Sequence, residues 1–222
     1  MQHSLIIFDV DGVLLDLTAA EEDVFFESFA PWCDPASLSR DWNSYRIRND
    51  DNIVDEIMET LGLPRAAKAA LVDGYHARLG AALASGRLKS PAIAGAGALL
   101  QAIAPKARLG IATANFREAA KLRLQAAGLW QPVAAHAFGA DGGGAKRDIL
   151  ARAIAASGLS RERILFIGDN VNDVAAGLGN GVAFIGFSES ASRRRQLADA
   201  GALQLSANHD ETCAQVLEFL KD

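Results

Sequence analysis

Two patterns of apolar and polar residues alternate along most of the chain. Five short apolar runs have the length of buried strands, and they cover residues 5–8, 108–113, 135–139, 163–168 and 182–187. Three amphipathic stretches, each ending just before a glycine, predict helices over residues 117–127, 147–157 and 171–178. Strands that alternate with amphipathic helices predict a parallel sheet with helices on both of its faces.

The segment between the first and second predicted strands has a helical pattern only. Its three predicted helices cover residues 19–29, residues 52–61 and a stretch that begins at Pro64. Because the first strand belongs with the later ones, this segment is an insert. We therefore predict an α/β fold, a doubly wound parallel sheet with an inserted all-helical cap. The Rossmann-like core takes residues 1–16 and 90–222, and the cap takes residues 17–89.

Composition excludes few function classes. The chain has 222 residues, 50% of them hydrophobic and 22% charged, with a formal net charge of −5. This balance shows no basic footprint for nucleic acid, and no apolar run approaches the roughly 20 residues of a membrane-spanning helix. The two cysteines, Cys33 and Cys213, form no disulfide framework and are expected to be reduced. We expect a cytoplasmic protein with no nucleic-acid or membrane partner, and the oligomeric state stays unknown.

Polar side chains follow four of the predicted strands. They are Asp9 and Asp11 after the first strand, Thr113 and Asn115 at the end of the second, Lys146 after the third, and Asp169 and Asp173 after the fourth. Ligands of an open parallel sheet bind outside the carboxyl ends of its strands. We therefore expect these side chains to meet at one edge of the sheet.

This combination of side chains has a chemical reason. Clustered carboxylates repel one another unless a cation lies between them, and hard oxygen ligands suit Mg²⁺. A lysine, a threonine hydroxyl and backbone N–H groups at a helix start suit a phosphate group. Acids, metal and phosphate together indicate phosphoryl transfer. One carboxylate can then be the nucleophile, and a second can move the proton of the leaving group and of the attacking water.

The motifs "DVDGVLLD" and "GDNVND", together with Thr113 and Lys146, resemble the four motifs of the haloacid dehalogenase-like hydrolase superfamily. The likeness covers the whole chain and is greatest to phosphoglycolate phosphatase-like members, which carry a helical cap after the first motif. The resemblance implies that Asp9 is the nucleophile and Asp11 the general acid and base. It also implies that Thr113 and Lys146 hold the phosphoryl group.

The resemblance further implies a Mg²⁺ site. Its ligands would be the side chains of Asp9 and Asp169 and the backbone carbonyl of Asp11, with Asp173 supporting the metal and its waters. The implied function is a Mg²⁺-dependent phosphatase that hydrolyses a small phosphorylated metabolite through an aspartyl-phosphate intermediate. The alternatives are a sugar-phosphate mutase, which shares all four motifs, and a non-catalytic phosphate-binding protein of the same fold. A two-component receiver domain fits less well, because it has no helical insert after its first strand.

Several residues keep two interpretations. The family often has Lys-Pro where this chain has Lys146 and Arg147, so Arg147 is the alternative phosphate partner. Asn115 is either a substrate contact or a helix cap. Arg46 and Arg48 either clamp a substrate carboxylate or second phosphate, or are surface charges of the cap. The aromatic residues Trp32, Trp42, Phe25 and Phe26 are interpreted as cap core, and residues 193–195 as a solvated helix face.

Overall fold

The computed structural model describes residues 3–221, and its centre is a six-stranded parallel sheet. The strands are β1 (Leu5–Phe8), β2 (Arg108–Ala112), β3 (Ala137–Phe138), β4 (Ile164–Gly168), β5 (Ala183–Phe187) and β6 (Gln204–Ser206). Their order across the sheet is β3-β2-β1-β4-β5-β6, so β1 lies between β2 and β4. Leu5 pairs with Arg108 on one side and with Ile164 on the other. The predicted doubly wound sheet is confirmed.

Ten α-helices accompany the sheet within the described residues. They are α1 (Ala19–Glu27), α2 (Asp50–Thr60), α3 (Lys68–Ala84), α4 (Ala96–Ile103), α5 (Arg117–Ala126), α6 (Trp130–Val133), α7 (Lys146–Ser157), α8 (Val171–Asn180), α9 (Ala191–Asp199) and α10 (His209–Phe219). No helix within residues 3–221 is long and apolar enough to cross a membrane.

Successive side chains of β1 enter two different apolar layers, because side chains of a strand alternate between its faces. Ile6 and Phe8 pack with residues of α4, α5 and α10, whereas Leu5 and Ile7 pack with residues of α7 and α8. All four side chains are fully buried. The sheet is thus covered on both faces, and only its edges and strand ends are available to ligands.

Helices α1, α2 and α3 form a helical insert between β1 and β2. Apolar side chains of the insert make a separate cluster that includes Phe26, Phe29 and Leu79, and this cluster also contains Phe116 at the start of core helix α5. The two connections to the core run side by side, since the amide of Asp16 donates to the carbonyl of Pro91. The structure therefore has an all-helical insert that packs on the core beside the strand ends, while the boundaries at residues 17 and 89 stay a prediction.

The expectations missed four elements and misjudged some boundaries. Helices α4, α6 and α10 and strand β6 were not predicted, and α9 was expected only as a helix face at residues 193–195. Strand β6 has only three residues, "QLS", of which only Ser206 is buried, so it lacks the apolar run of a central strand. The third insert helix begins at Lys68 rather than Pro64, because Arg65–Ala67 forms a 3₁₀ turn first.

Candidate active site

A cavity of about 310 Å³ lies at the carboxyl ends of the strands, between the sheet edge and the helical insert. The core contributes a polar wall that includes Asp9, Asp11, Thr113, Asn115, Lys146, Asp169 and Asp173. The insert contributes a mixed wall that includes Leu17, Glu21, Phe25, Trp42, Arg48, Asp50, Ile53 and Tyr75. The structure therefore brings the strand-end side chains together at one edge of the sheet, as expected.

Lys146 forms the centre of one charged group in this cavity. It is the first residue of α7, and its Nζ lies 2.6 Å from Asp9 Oδ1 and 3.0 Å from Asp173 Oδ1. Asp9 Oδ1 also accepts a hydrogen bond from the Val10 amide at 2.7 Å. We call Asp9, Lys146, Asp169 and Asp173 the core cluster.

Two glycines allow the acids of the core cluster to come this close to the backbone. Gly12 has a φ of 75°, and a Cβ at this position would lie 2.4 Å from Asp169 Oδ2. A Cβ on Gly168, the last residue of β4, would lie 2.3 Å from the Cβ of Asp173. Any larger residue at either position would displace a carboxylate, so both glycines help to shape the cluster.

The pKa values of the core cluster follow from burial and from neighbouring charges. Burial raises the pKa of Asp9 well above its ordinary value, against the opposing effect of the Lys146 ammonium. Burial, with the nearby charge of Asp173, raises the pKa of Asp169 to about 6. Burial disfavours the ammonium of Lys146, but Asp173 and Asp9 outweigh it and raise its pKa. The Lys146 ammonium therefore does not balance the negative charge of the three carboxylates in the core cluster.

The donor set of the core cluster fits a divalent metal ion. Carboxylate oxygens of Asp9, Asp169 and Asp173 all lie within 4.8 Å of one another. Three carboxylates and one ammonium leave two negative charges in a largely buried space, and a divalent cation would balance them. Oxygen donors of this kind suit Mg²⁺.

Asp11 belongs to a different charged group. Its Oδ1 lies 2.6 Å from a terminal nitrogen (Nη2) of Arg123, whose Nε lies 2.7 Å from Glu21 Oε1. The other terminal nitrogen (Nη1) of Arg123 donates to Asn115 Oδ1 at 2.8 Å. We call Asp11, Glu21, Asn115 and Arg123 the junction cluster, because Glu21 comes from the insert and the others from the core. The two acids after β1 thus face different cations.

Thr113 and Asn115 follow β2 into the same cavity. Thr113 is almost fully buried, and its hydroxyl accepts a hydrogen bond from the Asn115 amide at 3.2 Å. The Asn115 side chain does not cap α5, since that helix has no side-chain cap from its own segment. Asp50 of the insert instead accepts a hydrogen bond from the Phe116 amide at 2.7 Å. Of the two interpretations of Asn115, the helix cap is wrong.

The basic candidates fall at different places. Lys146 lines the cavity, whereas the guanidinium of Arg147 lies against Gly179 of α8. Arg48 also lines the cavity, and within residues 3–221 no carboxylate pairs with it. Arg46 is not among the lining residues; it pairs with Glu56 and Glu59 on the outer face of α2. The structure therefore brings Lys146 and Arg48 to the cavity and leaves Arg147 and Arg46 outside it.

Four charged residues of the cavity wall were not predicted from the sequence, namely Glu21, Glu22, Asp50 and Arg123. A signal for Arg123 was present, because helical spacing places it on the same face as Ala119 and Ala120, and a charge on an apolar face needs a partner. Arg193, interpreted as part of a solvated face, also lines the cavity. So do Phe25 and Trp42, which at the same time pack in the insert as predicted. Trp32 was also expected in the insert core, but it is 39% exposed, so this expectation was wrong.

The parallel sheet, the helical insert and the acidic cavity at the carboxyl ends of the strands define the class of this protein as an α/β protein with a candidate metal and phosphate site. A model of the haloacid dehalogenase-like hydrolase family matches residues 3–181. The chain belongs to this family of haloacid dehalogenase-like hydrolases, as its motifs predicted.

Three solved structures illustrate the likeness in fold. CbbY from Rhodobacter sphaeroides, in complex with phosphate, has a TM-score of 0.70 and 19% identity over 93% of this chain and 94% of that one. A predicted phosphatase from Clostridium acetobutylicum has a TM-score of 0.66 and 20% identity over 98% and 100%. A putative beta-phosphoglucomutase from Thermotoga maritima has a TM-score of 0.62 and 19% identity over 97% and 98%. No curated protein matches the chain in sequence.

Proposed function

We propose that this hydrolase is a Mg²⁺-dependent phosphatase that removes the phosphate of a small phosphorylated metabolite through an aspartyl-phosphate intermediate. The observation that carries the proposal is the core cluster, in which a buried Asp9 lies beside Lys146 and two further carboxylates in the wall of the cavity. Family membership supports the hydrolase part of the proposal.

In the first proposed step, the carboxylate of Asp9 attacks the phosphorus atom of the substrate. The bond from phosphorus to the leaving oxygen breaks, and Asp11 gives that oxygen a proton. The ammonium of Lys146 and the hydroxyl of Thr113 hold the other phosphoryl oxygens. The separate surroundings of the two acids are compatible with separate roles, since Asp9 lies in the core cluster beside Lys146 and Asp11 lies in the junction cluster beside Arg123.

In the second step, Asp11 takes a proton from a water molecule, whose oxygen attacks the phosphorus of the acyl phosphate. The bond from phosphorus to the Asp9 carboxylate breaks, which restores that carboxylate and releases inorganic phosphate. Asp11 thus ends the cycle in the same protonation state in which it began.

Asp9, Asp169 and Asp173 would hold the metal ion, with the backbone carbonyl of Asp11 as a further proposed ligand. When bound, Mg²⁺ supplies charge that balances the carboxylates and the phosphoryl oxygens. The protein residues supply the remaining requirements, because Lys146 and Thr113 position the phosphoryl group and the surrounding buried side chains exclude bulk water.

The substrate is proposed to be a small metabolite with a second anionic group. A cavity of about 310 Å³ has room for a phosphate and a short organic chain. Arg48 is the basis for the second anion, since it reaches the cavity from the insert with no carboxylate partner among residues 3–221. The free thiols Cys33 and Cys213 support the proposed cytoplasmic location.

The test is phosphate release from a panel of phosphorylated metabolites and from nitrophenyl phosphate, with Mg²⁺ and with a chelator. We expect turnover only with Mg²⁺. Asp9→Asn should abolish it and leave no acid-stable phosphoenzyme, because an amide cannot replace the attacking carboxylate. Folded wild-type protein that releases no phosphate from any ester would move the assignment to a phosphate-binding protein. A sugar phosphate returned as its isomer instead of as free sugar would favour the mutase.

A further inference from the structure

Arg123 is a buried cation to which the reaction steps above give no role. It lies on core helix α5, it is 3% exposed, and it lines the cavity. Burying a charged group is costly unless the group is paired and hydrogen-bonded. Its partners come from three parts of the fold: Asp11 after β1, Glu21 in α1 of the insert and Asn115 after β2. If Arg123 needed only a counter-ion, it would not require all three of these partners.

The hydrogen bonds of Arg123 determine how its guanidinium is oriented. Glu21 accepts from Nε at 2.7 Å and from Nη2 at 3.0 Å, which fixes the plane of the group as a two-pronged contact. Asp11 Oδ1 then accepts from the same Nη2 at 2.6 Å. Because the guanidinium is planar and rigid, the direction of this last N–H follows from the position of the Glu21 carboxylate. Glu21 therefore influences the Asp11 carboxylate without touching it.

Glu21 is held at the place where the chain enters and leaves the insert. Its Oε2 accepts from the Thr18 amide at 3.1 Å on the outgoing connection, and its Oε1 accepts from the Ser90 hydroxyl at 3.0 Å on the returning connection. The two connections are joined by the hydrogen bond from Asp16 to Pro91. Any rotation of the insert about these connections would move Glu21 relative to α5.

We propose that Arg123 is a positioning residue that couples the orientation of the Asp11 carboxylate to the position of the helical insert through Glu21. The inference rests on the proposed phosphatase function, in which Asp11 moves the proton of the leaving group. In the arrangement seen here the insert lies on the core and Asp11 is directed by Arg123. If the insert moves away from the core, Glu21 moves with it, and the plane of the Arg123 guanidinium is no longer fixed.

A purely structural role makes a different prediction. Suppose that the Arg123–Glu21 ion pair only joins the insert to the core. Weakening it would then change the stability of the protein, or it would change the binding of all substrates equally. Misplacing a proton donor has a selective effect, because a leaving group such as an alkoxide needs the proton and nitrophenolate does not. The ratio of rates for the two kinds of substrate therefore separates the two roles.

The test uses Glu21→Gln, which offers one acceptor oxygen where the carboxylate offered two. We expect kcat/KM for an alkyl phosphate to fall about tenfold and kcat/KM for nitrophenyl phosphate to fall much less, since misplacement of a catalytic group lowers the rate of its own step. The comparison uses kcat/KM because this ratio reports the step in which the leaving group departs, whereas the water-attack step is the same for both substrates. Arg123→Lys should show the same selectivity, because an ammonium lacks the planar fork. Equal losses on both substrates, or no loss, would overturn the proposal.

A matched control and a measurement without activity complete the test. Asp23 lies on α1, as Glu21 does, and forms an exposed ion pair with Arg40. Asp23→Asn breaks only this pair, so it should leave the ratio of rates on the two substrates unchanged. A crystal structure of Glu21→Gln should show the Asp11 carboxylate displaced from Arg123. An Asp11 carboxylate in the same position as in the wild type would contradict the proposed coupling. This structural result does not depend on turnover, whereas wild-type protein that is inactive on every phosphate ester would count against the phosphatase function itself.

Discussion

The core cluster and the junction cluster are two buried groups of charges in one cavity, and they are built in different ways. Each has one cation between carboxylates, Lys146 in the first and Arg123 in the second. All members of the core cluster come from strand ends or helix starts of the sheet layer. The junction cluster needs the insert, which supplies Glu21. One cluster is therefore complete in the core alone, and the other exists only while the insert is docked.

This difference suggests separate tasks for the two acids that follow β1. Asp9 has neighbours that do not depend on the insert, which suits its proposed role as the nucleophile, because attack requires a fixed geometry. Asp11 has a neighbour whose orientation depends on the insert, which suits a group whose proton transfer should occur in the closed cavity. The comparison predicts that variants of the core cluster affect all substrates equally and that variants of the junction cluster do not.

The largest expected effect that distinguishes the clusters is that of Asp11→Asn. It should lower the rate on an alkyl phosphate by about 10²–10⁴-fold, the usual scale for acid–base catalysis. The loss of kcat/KM on nitrophenyl phosphate should be smaller, since nitrophenolate leaves without a proton and the water-attack step, which also uses Asp11, does not contribute to kcat/KM. Steady-state kinetics on both substrates measure the ratio. Equal losses would remove the proton-donor role of Asp11 and with it the contrast between the clusters.

Lys146→Gln tests the core cluster. Removing one group that stabilises transferring charge costs about 10²–10³-fold in kcat, and the loss should be the same for alkyl and nitrophenyl phosphates because both share the phosphoryl group. Mg²⁺ affinity should not fall, since a neighbouring positive charge is removed. Titration calorimetry with Mg²⁺ checks this point. Weaker Mg²⁺ binding in the variant would contradict the arrangement of charges described for the core cluster.

Arg48→Gln, with Arg46→Gln as its control, tests the insert wall of the cavity. Losing a hydrogen bond to a charged group should raise KM about tenfold or more for a substrate with a second anion, with little change in kcat. Arg46 pairs with glutamates on the exposed face of α2, so its replacement should have almost no effect. If the two variants behave alike, Arg48 does not contact the substrate.

The last prediction concerns the stability of the junction, which does not affect catalytic rate directly, and it is based on Asp50. Burial raises the pKa of Asp50 from 3.8 to about 7, although its hydrogen bond from the Phe116 amide opposes the shift. The folded state then binds the proton more tightly than the unfolded state, so the Asp50 contribution to stability is greatest below about pH 4 and is lost as pH rises to about 7. Above that range its contribution is constant.

Asp50→Asn removes this titration and keeps an oxygen that can accept from Phe116. We expect the stability of the variant relative to wild type to rise between about pH 4 and pH 7 and then to level off. Urea unfolding of both proteins across this range measures the difference. A pH-independent difference would show that the Asp50 carboxyl is not the group that titrates there.

The sequence predicted the core cluster well and the junction cluster poorly. Asp9, Thr113, Lys146 and Asp169 each follow or end a strand pattern, and parallel topology alone brings such positions together. Glu21 and Asp50 lie in ordinary first turns of insert helices, where acids are common for local reasons. Strand β6 and helix α10 were missed because a short edge strand and its helix bury only part of their surface.

By itself, the amino-acid sequence determined the parallel sheet, the helical insert after the first strand and the set of side chains at the strand ends. Periodicity and strand order are local or topological properties, so they can be seen without coordinates. Only the tertiary structure decided that Asp9 faces Lys146 while Asp11 faces Arg123, and that Arg48 reaches the cavity while Arg46 does not. These choices depend on how the insert docks on the core, and that docking is set by packing between residues far apart in the chain.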